Sequence, residues 1–266
     1  PQANAIFTGG ITSVYVRLFD VDTSDTTTTQ RHTVTELNTV VEELNTLAAT
    51  TSASVHHIEA GVIFVSWNAT KRVGNHEVRA SSFAHKAVAL LREHECFAND
   101  AAAAIVSCRA TAHFAGTSQM HFVLSHEEIV RHKHLLEVAK QHRTIVCTPS
   151  VARNADIQFV FGAFALDCKD KMMYELVDAR AAAEDEDEWM YALNTAGKDG
   201  DADHVGLLTT AVALLLLPAD EASRLPGVSE DPKVLAIPPV QMLADLPEKA
   251  KERTTVQQLL RRYTKM

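Results

Sequence analysis

Two kinds of hydrophobic spacing alternate along the first 178 residues, and their order limits the possible folds more than any other feature of the sequence. Val14, Val16 and Leu18 recur at every second position, which is the period of a strand with one buried face. The apolar residues that follow recur at helical spacing and form one stripe: Leu37, Val40, Val41, Leu44 and Leu47. The chain therefore begins with a strand followed by an amphipathic helix.

The same alternation continues after this first pair. Two strands joined around Glu59–Gly61 are predicted within 53–69, and a helix with Asn75 as its N-cap follows. The remaining patterns predict a hairpin over 101–125, a helix over 125–142 with Ser125 as N-cap, a strand over 143–152 and a last strand pair within 156–178. The order β-α-β-β-α-β-β-α-β and a hairpin predicts an α+β fold with a ferredoxin-like βαββαβ core, its helices on one face of a mostly antiparallel sheet.

Composition changes near residue 178, where an acidic, Ala-rich stretch begins. We predict one domain over 1–177 and a mainly helical, Pro-rich C-terminal appendage over 178–266. Its expected elements are an apolar helix over 205–217 and a basic helix at the C-terminus, and its expected anchors are Trp189, Met190 and Tyr191.

Charge and composition exclude several classes of function. The net charge of −9 argues against general binding to nucleic acid or to an anionic membrane. The longest apolar run ends at Pro218 and is too short to insert across a membrane. The four widely spaced cysteines are predicted to be reduced, mostly buried thiols. Reduced thiols predict a cytoplasmic setting. The first residue, Pro1, suggests a piece of a longer protein, and in that case we expect the cytosolic part of a membrane-anchored one.

Several strings, in order, are similar to the class III nucleotide cyclase family, the catalytic domains of adenylate and guanylate cyclases. "VYVRLFDVDTS" resembles the family's first strand, and "GVIFVSWNATKRVGNHEVRASSFAHKAVALLRE" resembles its second metal strand and the helix that follows. "ATAHFAGTSQMHFVLSHEEIV" resembles the family's hairpin and helix entry, "RTIVCTPSVA" the next strand and "MMYELV" the closing strand. The similarity covers roughly residues 5–177.

The resemblance implies a specific chemistry. In the family, two aspartates hold two divalent metal ions, which bind a nucleoside triphosphate and activate its 3′-hydroxyl. An Asn and an Arg from the helix after the hairpin steady the transition state, and a Lys with an acidic or small polar residue selects the base. The site lies between two domains packed head to tail, so the resemblance implies a dimer.

Most of these residues do not carry over to this chain. Asp20 matches the first metal aspartate, with Asp22 as an alternative, but the second aspartate aligns with Gly61. His57 stands near the position of the base-selecting Lys. The helix offers Arg131 and Lys133, with no Asn in register. One carboxylate is too little charge for two Mg²⁺ ions, which require hard oxygen ligands.

We therefore predict a catalytically degenerate cyclase homology domain that regulates or scaffolds a signalling protein, with no cofactor. Its partner would be a cyclase-like domain in a homodimer or heterodimer, or the appendage would cover the dimer face within the same chain. The alternative is an active subunit of a heterodimer that forms cAMP or cGMP from ATP or GTP with Mg²⁺ or Mn²⁺.

Three other groups of residues are interpreted as non-functional. The cluster of His113, His121, His126, His132 and His134 has no carboxylate or thiol to complete a zinc set, so we interpret these as surface and hairpin histidines. A calcium loop from Asp199 would need Gly and Glu where His204 and Thr210 stand, so a solvated loop is predicted. Nucleophilic catalysis is not predicted either, because no orienting group accompanies the candidates Ser81, Ser82 and Cys96 with His94.

Overall fold

The computed structural model describes residues 7–19, 29–59, 61–115, 119–180 and 200–263. Contacts divide the chain into two compact units, Pro1–Asn154 and Ala155–Met266. The boundary predicted after residue 177, where the composition changes, stays a prediction.

The N-terminal unit follows the predicted order of elements. In chain order it contains β1 (Phe7–Arg17), α1 (Thr29–Thr50), β2 (Ser54–Glu59), β3 (Val62–Trp67), α2 (His76–Glu93), β4 (Ala102–Ala115), β5 (Gln119–Val123), α3 (His126–His142), β6 (Ile145–Cys147) and α4 (Pro149–Ala155).

The strands of this unit pair in the order β2-β3-β1-β4. All three pairings are antiparallel, with Val14 opposite both Val65 and Ile105. β5 continues antiparallel from β4, and β6 lies parallel to β4. This is the spatial order of a ferredoxin-like βαββαβ core, so the predicted α+β fold class is confirmed.

One face of the sheet forms the hydrophobic core with α1 and α2. Val14, Val65 and Ile105 are fully buried on this face. Trp67 lies on it as well, with its ring centroid 5.4 Å from that of Phe83 on α2. The Trp67 indole N–H donates to the carbonyl oxygen of Thr51 at 2.9 Å, so the buried ring keeps a hydrogen-bond partner.

The third helix lies on the opposite face, which corrects the expectation that the helices share one face. The hydroxyl of Thr12 lies 2.7 Å from Nδ1 of His76 on α2, whereas the hydroxyl of Ser13 lies 2.5 Å from Nε2 of His132 on α3. Neighbouring residues of a strand point to opposite faces, so α2 and α3 are on opposite sides of β1. In a direct strand-helix-strand crossover, the handedness of the connection fixes which face of the sheet the helix covers. The β4–β5 hairpin reverses the chain before α3, so that rule does not fix the face that α3 covers.

The strand predicted over 143–152 is shorter in the structure and is followed by a helix. β6 ends at Cys147 and α4 begins at Pro149. Proline suits the first position of a helix because its fixed φ is helical and its missing N–H would have no partner there. The carbonyl oxygen of Thr148 then accepts from the N–H groups of Val151 at 3.0 Å and Ala152 at 3.2 Å, which starts the helix.

The two predicted helix caps behave differently. The hydroxyl of Ser125 accepts a hydrogen bond from the N–H of Glu128 at 3.3 Å, as predicted for an N-cap. Asn75 occupies the N-cap position of α2 but makes no side-chain cap bond, because it adopts a left-handed conformation with φ 50°. Asparagine tolerates this conformation, so it serves here as a turn residue.

The C-terminal unit contains a strand hairpin and several helices. These are β7 (Phe159–Leu166), β8 (Met172–Ala179), α5 (Gly200–Leu216), α6 (Ala219–Ala222), α7 (Pro232–Leu235), α8 (Pro239–Ala244), α9 (Glu248–Lys251) and α10 (Thr254–Tyr263). The predicted apolar helix and the basic C-terminal helix correspond to α5 and α10.

Buried polar contacts attach these helices to the hairpin. The backbone N–H of Ala163 on β7 donates to the hydroxyl of Thr209 on α5 at 3.1 Å. The Glu175 carboxylate on β8 pairs with the Arg253 guanidinium and accepts from the hydroxyl of Thr255 at 3.0 Å, at the start of α10. Within the described residues, no helix has both the length and the apolar content that a membrane span requires. The predicted anchors Trp189, Met190 and Tyr191 lie outside the described residues.

Candidate functional site

The β2–β3 turn lies beside the end of β1, at the position that the resemblance assigns to metal binding. Arg17 is opposite Val62 in the β1–β3 pairing. One step further, the backbone N–H of Leu18 donates to the carbonyl oxygen of Gly61 at 2.8 Å. This hydrogen bond fixes the Gly61 backbone against the end of β1. Asp20 and Asp22, the predicted metal ligands, lie outside the described residues.

Gly61 occupies a conformation that excludes a side chain. Its φ is 72°, in the left-handed region where a Cβ is strained. A Cβ at this position would overlap the carbonyl oxygen of Phe19 and would lie 3.4 Å from Cδ2 of the Phe19 ring. The obstruction is a backbone atom of the segment that follows β1, so it cannot be removed by rotating a side chain. This turn therefore has no room for a carboxylate without a shift of the backbone.

His57 lies on β2 and is exposed to solvent. The register of β2 against β3 shifts between Val55 and His57, so β2 contains one extra residue, His56, at this point. Both imidazole rings consequently reach Phe64, with centroid distances of 5.2 Å for His56 and 5.1 Å for His57. Such a bulge turns consecutive side chains toward the same face.

Arg131 and Lys133 lie on α3, on either side of His132. The Arg131 guanidinium is 4.0 Å from the carboxylate of Glu128, one turn earlier. Lys133 is exposed.

The Tyr15 ring contacts both Phe64, with ring centroids 4.5 Å apart, and His132, with ring centroids 5.2 Å apart. The structure thus places His57 and α3 along one face of the sheet, while the catalytic roles of these residues stay predictions.

His132 is buried, which corrects its interpretation as a surface histidine. Its side chain has no exposed area. Loss of hydration lowers the pKa of His132 to about 4, against a smaller opposing effect from the Glu128 carbonyl and carboxylate. The burial of His132 could have been predicted from the sequence, because His132 falls on the helical stripe formed by the buried residues Leu135, Leu136 and Ala139.

The other histidines form no metal site in the part of the chain that the structure describes, where no group of three or more His, Cys, Asp or Glu side chains could hold an ion. His126 is exposed and His134 is half-buried. The side chains of His113 and His121 lie outside the described residues. The helix α5 begins at Gly200, so Asp201 and Asp203 are helical instead of forming the predicted loop, while Asp199 is not described.

The cysteines are free thiols, as predicted, but they are not mostly buried. Cys96 and Cys168 are exposed, Cys108 is half-buried and Cys147 is buried. A hydrogen bond to Glu36 raises the pKa of Cys96, which is the opposite of what a nucleophilic thiol requires. Burial raises the pKa of Cys147.

A carboxylate in the same unit is held by several donors. The Glu77 side chain, in the first turn of α2, accepts from Asn154 Nδ2 at 2.9 Å and from the hydroxyl of Ser107 at 3.3 Å. Its second oxygen lies 3.1 Å from Nδ1 of His76. These bonds join α2 to β4 and α4, so we assign Glu77 a structural role.

Comparison with known proteins gives matches at the level of structure only. No protein-family model matches the chain, and no curated protein matches it in sequence. A similar structure is the guanylate cyclase domain of RhGC from Catenaria anguillulae in complex with GTP, with a TM-score of 0.53 and 17% identity, covering 64% of this chain and 97% of that one. The adenylyl cyclase CyaB from P. aeruginosa has a TM-score of 0.53 and 13% identity, and the match covers 66% of this chain and 97% of that one.

A third similar structure is that of a dimeric domain. It is the non-canonical dimeric guanylyl cyclase domain of the RhoGC fusion protein from the aquatic fungus Blastocladiella emersonii, with a TM-score of 0.55 and 16% identity, covering 67% of this chain and 99% of that one. Each of these domains is matched over nearly its whole length, while about a third of the present chain has no counterpart in them. The chain therefore contains the fold of a class III adenylyl or guanylyl cyclase catalytic domain.

Proposed function

We propose that the chain is a catalytically degenerate cyclase homology domain that acts as a regulatory or scaffolding module in a signalling protein. The Gly61 turn is the observation that carries the proposal. The resemblance places a metal-binding aspartate there, and the backbone of Phe19 occupies the space that its Cβ would need. Two Mg²⁺ ions beside a triphosphate require several hard oxygen ligands, which this turn does not supply from a side chain.

The residues available on α3 support the same proposal. Lys133 and Arg131 supply positive charge, but no asparagine accompanies them in register. Positioning of the ribose and stabilisation of charge on the phosphate contribute much of the rate in phosphoryl transfer. A chain that lacks both a metal ligand and the ribose contact is suited to binding a partner domain rather than to catalysis.

The proposed partner is a cyclase-type domain, from a second copy or from another protein, in a cytoplasmic setting. Alternatively, the C-terminal residues cover the face that would pair. Sedimentation of the purified chain over a range of concentrations distinguishes these two arrangements. Self-association supports pairing between copies, and a monomer at all concentrations supports a covered face or a different partner.

Calorimetry tests the degenerate site without relying on turnover. We expect no saturable heat when MgATP, MgGTP or their Mn²⁺ forms are added to the chain at concentrations up to the millimolar range. A GTP-binding cyclase domain in the same buffer is the positive control. Saturable, metal-dependent binding with one nucleotide per chain or per dimer would contradict the proposal and would favour an active subunit of a heterodimer.

A further inference from the structure

A line of polar side chains crosses the sheet beneath α3. His56 Nε2 on β2 lies 2.6 Å from the hydroxyl of Ser66 on β3. Ser66 is directly opposite Ser13 in the pairing of β3 with β1. Ser13 in turn lies 2.5 Å from His132 Nε2. Both serines are buried, so this polar line leads from an exposed histidine to a buried one.

The hydrogen bonds of His132 define the tautomer of its neutral ring. Nδ1 lies 2.5 Å from the carbonyl oxygen of Glu128, and a carbonyl can only accept, so Nδ1 carries the hydrogen. In the neutral ring, Nε2 then accepts from the hydroxyl of Ser13. Both nitrogens are satisfied while the ring packs edge-on against Tyr15. Docking of α3 on the sheet therefore suits a neutral imidazole.

A proton on Nε2 changes this arrangement. Nε2 then donates to Ser13, whose hydroxyl must turn toward the carbonyl oxygen of Val106, 3.4 Å away. That distance makes a weak bond. The imidazolium also stays fully buried, which is costly unless a counter-charge lies close.

The surrounding charges do not compensate for this burial. On α3, the Glu128 carboxylate favours the proton and Arg131 opposes it. On β1, Arg17 points to the same face and lies 3.9 Å from Glu137 of α3. On β3 the line continues through Ser66 to His56, and among the described residues β4 and β6 place the apolar Val106 and Val146 on this face. The site therefore holds the neutral ring.

We propose that Ser13 and His132 form an acid-sensitive latch, in which α3 is docked while the ring is neutral and separates from the sheet as the ring takes up a proton. The proposal does not depend on the proposed function. The pKa of His132 is lower in the docked state than in the solvated state, so docking is favoured above the ordinary histidine pKa of about 6.5. This contribution is lost as the pH falls from about 6.5 toward about 4.

Hydrogen exchange resolved by peptide tests the latch on the intact chain. After correction for the intrinsic exchange rate, protection of α3 (His126–His142) should fall about twentyfold between pH 7 and pH 5. Protection of α2 (His76–Glu93) should change much less. In His132→Gln the pH dependence of α3 should disappear, and in His126→Gln, an exposed histidine of the same helix, it should persist. Equal losses in α2 and α3, or an unchanged response in His132→Gln, would overturn the proposal.

A measurement on the native sequence keeps the test valid if His132→Gln does not fold. NMR of the imidazole carbons and nitrogens reports each histidine separately. His132 should remain a neutral Nδ1–H tautomer at pH 6, because burial lowers the pKa of its imidazole to about 4. A His132 ring that is largely protonated at pH 6 would refute the latch.

Discussion

The Gly61 turn and the Ser13–His132 contact differ in whether the sheet accommodates a polar side chain. At Gly61 the backbone conformation leaves no space for a side chain, so the place assigned to a carboxylate has none. At Ser13–His132 two polar side chains are buried where apolar groups would pack without a desolvation cost. The family resemblance identifies a position where this chain has no carboxylate, while burial and hydrogen bonding identify a titratable group elsewhere on the same sheet.

The largest effect should come from adding one methyl group at the turn. Gly61→Ala must place a Cβ against the Phe19 carbonyl at positive φ, so we expect the free energy of unfolding to fall by about 3 kcal/mol or more. Gly74→Ala is the matched control, because no atom lies within 4 Å of its added Cβ. Urea denaturation measures both. A Gly61→Ala protein as stable as the control would contradict the conformation assigned to this turn.

The second effect is the dependence of stability on pH. His132 has a lower pKa in the folded chain than in the unfolded chain, so the unfolded state binds the proton more readily. Between pH 7 and pH 4 this group should remove about 3 kcal/mol from the free energy of unfolding. The difference between the native chain and His132→Gln isolates the effect, since other titrating groups cancel. A difference that does not vary with pH would show that His132 does not contribute to the pH dependence of the free energy of unfolding.

A smaller effect concerns the start of α3. Ser125→Ala removes the hydroxyl that accepts from the Glu128 N–H, and we expect a loss of about 1 kcal/mol. Ser125→Asp keeps an acceptor and should retain the stability of the native chain. Thermal unfolding of the two variants side by side checks the prediction, which fails if alanine and aspartate behave alike.

The smallest effect should be at Lys133. Its side chain is exposed on α3, so Lys133→Ala should change the free energy of unfolding by less than about 0.5 kcal/mol. A loss of 2 kcal/mol or more in urea denaturation would show that Lys133 makes a contact that its exposure does not suggest.

The fold was predictable because hydrophobic period and turn residues agree along most of the N-terminal unit. The strand around Val14 alternates, the strand around Phe64 is a short apolar run buried on both faces, and α2 and α3 each present an apolar stripe. The helix α4 was missed because its seven residues follow a three-residue strand and carry too short a pattern. The face occupied by α3 was also missed, since strand and helix periods do not determine which side of a sheet a helix covers.

The site was predictable only where a residue type is itself informative. A glycine in place of an aspartate is visible in the sequence, but the carbonyl of Phe19 that occupies the Cβ position comes from the segment after β1, 42 residues earlier in the chain. The burial of His132 depends on Ser13, which is 119 residues away in the chain. Contacts at such separation leave no local pattern, although the position of His132 on the apolar stripe of α3 was a usable signal.

The most direct test of the central claim is an assay for cyclic nucleotide formation. The purified chain is incubated with ATP or GTP and Mg²⁺ or Mn²⁺, with an active cyclase domain as positive control and Asp20→Asn as a matched variant. The account predicts no cAMP or cGMP above the level without protein. Product that increases with protein concentration and disappears in Asp20→Asn would contradict it.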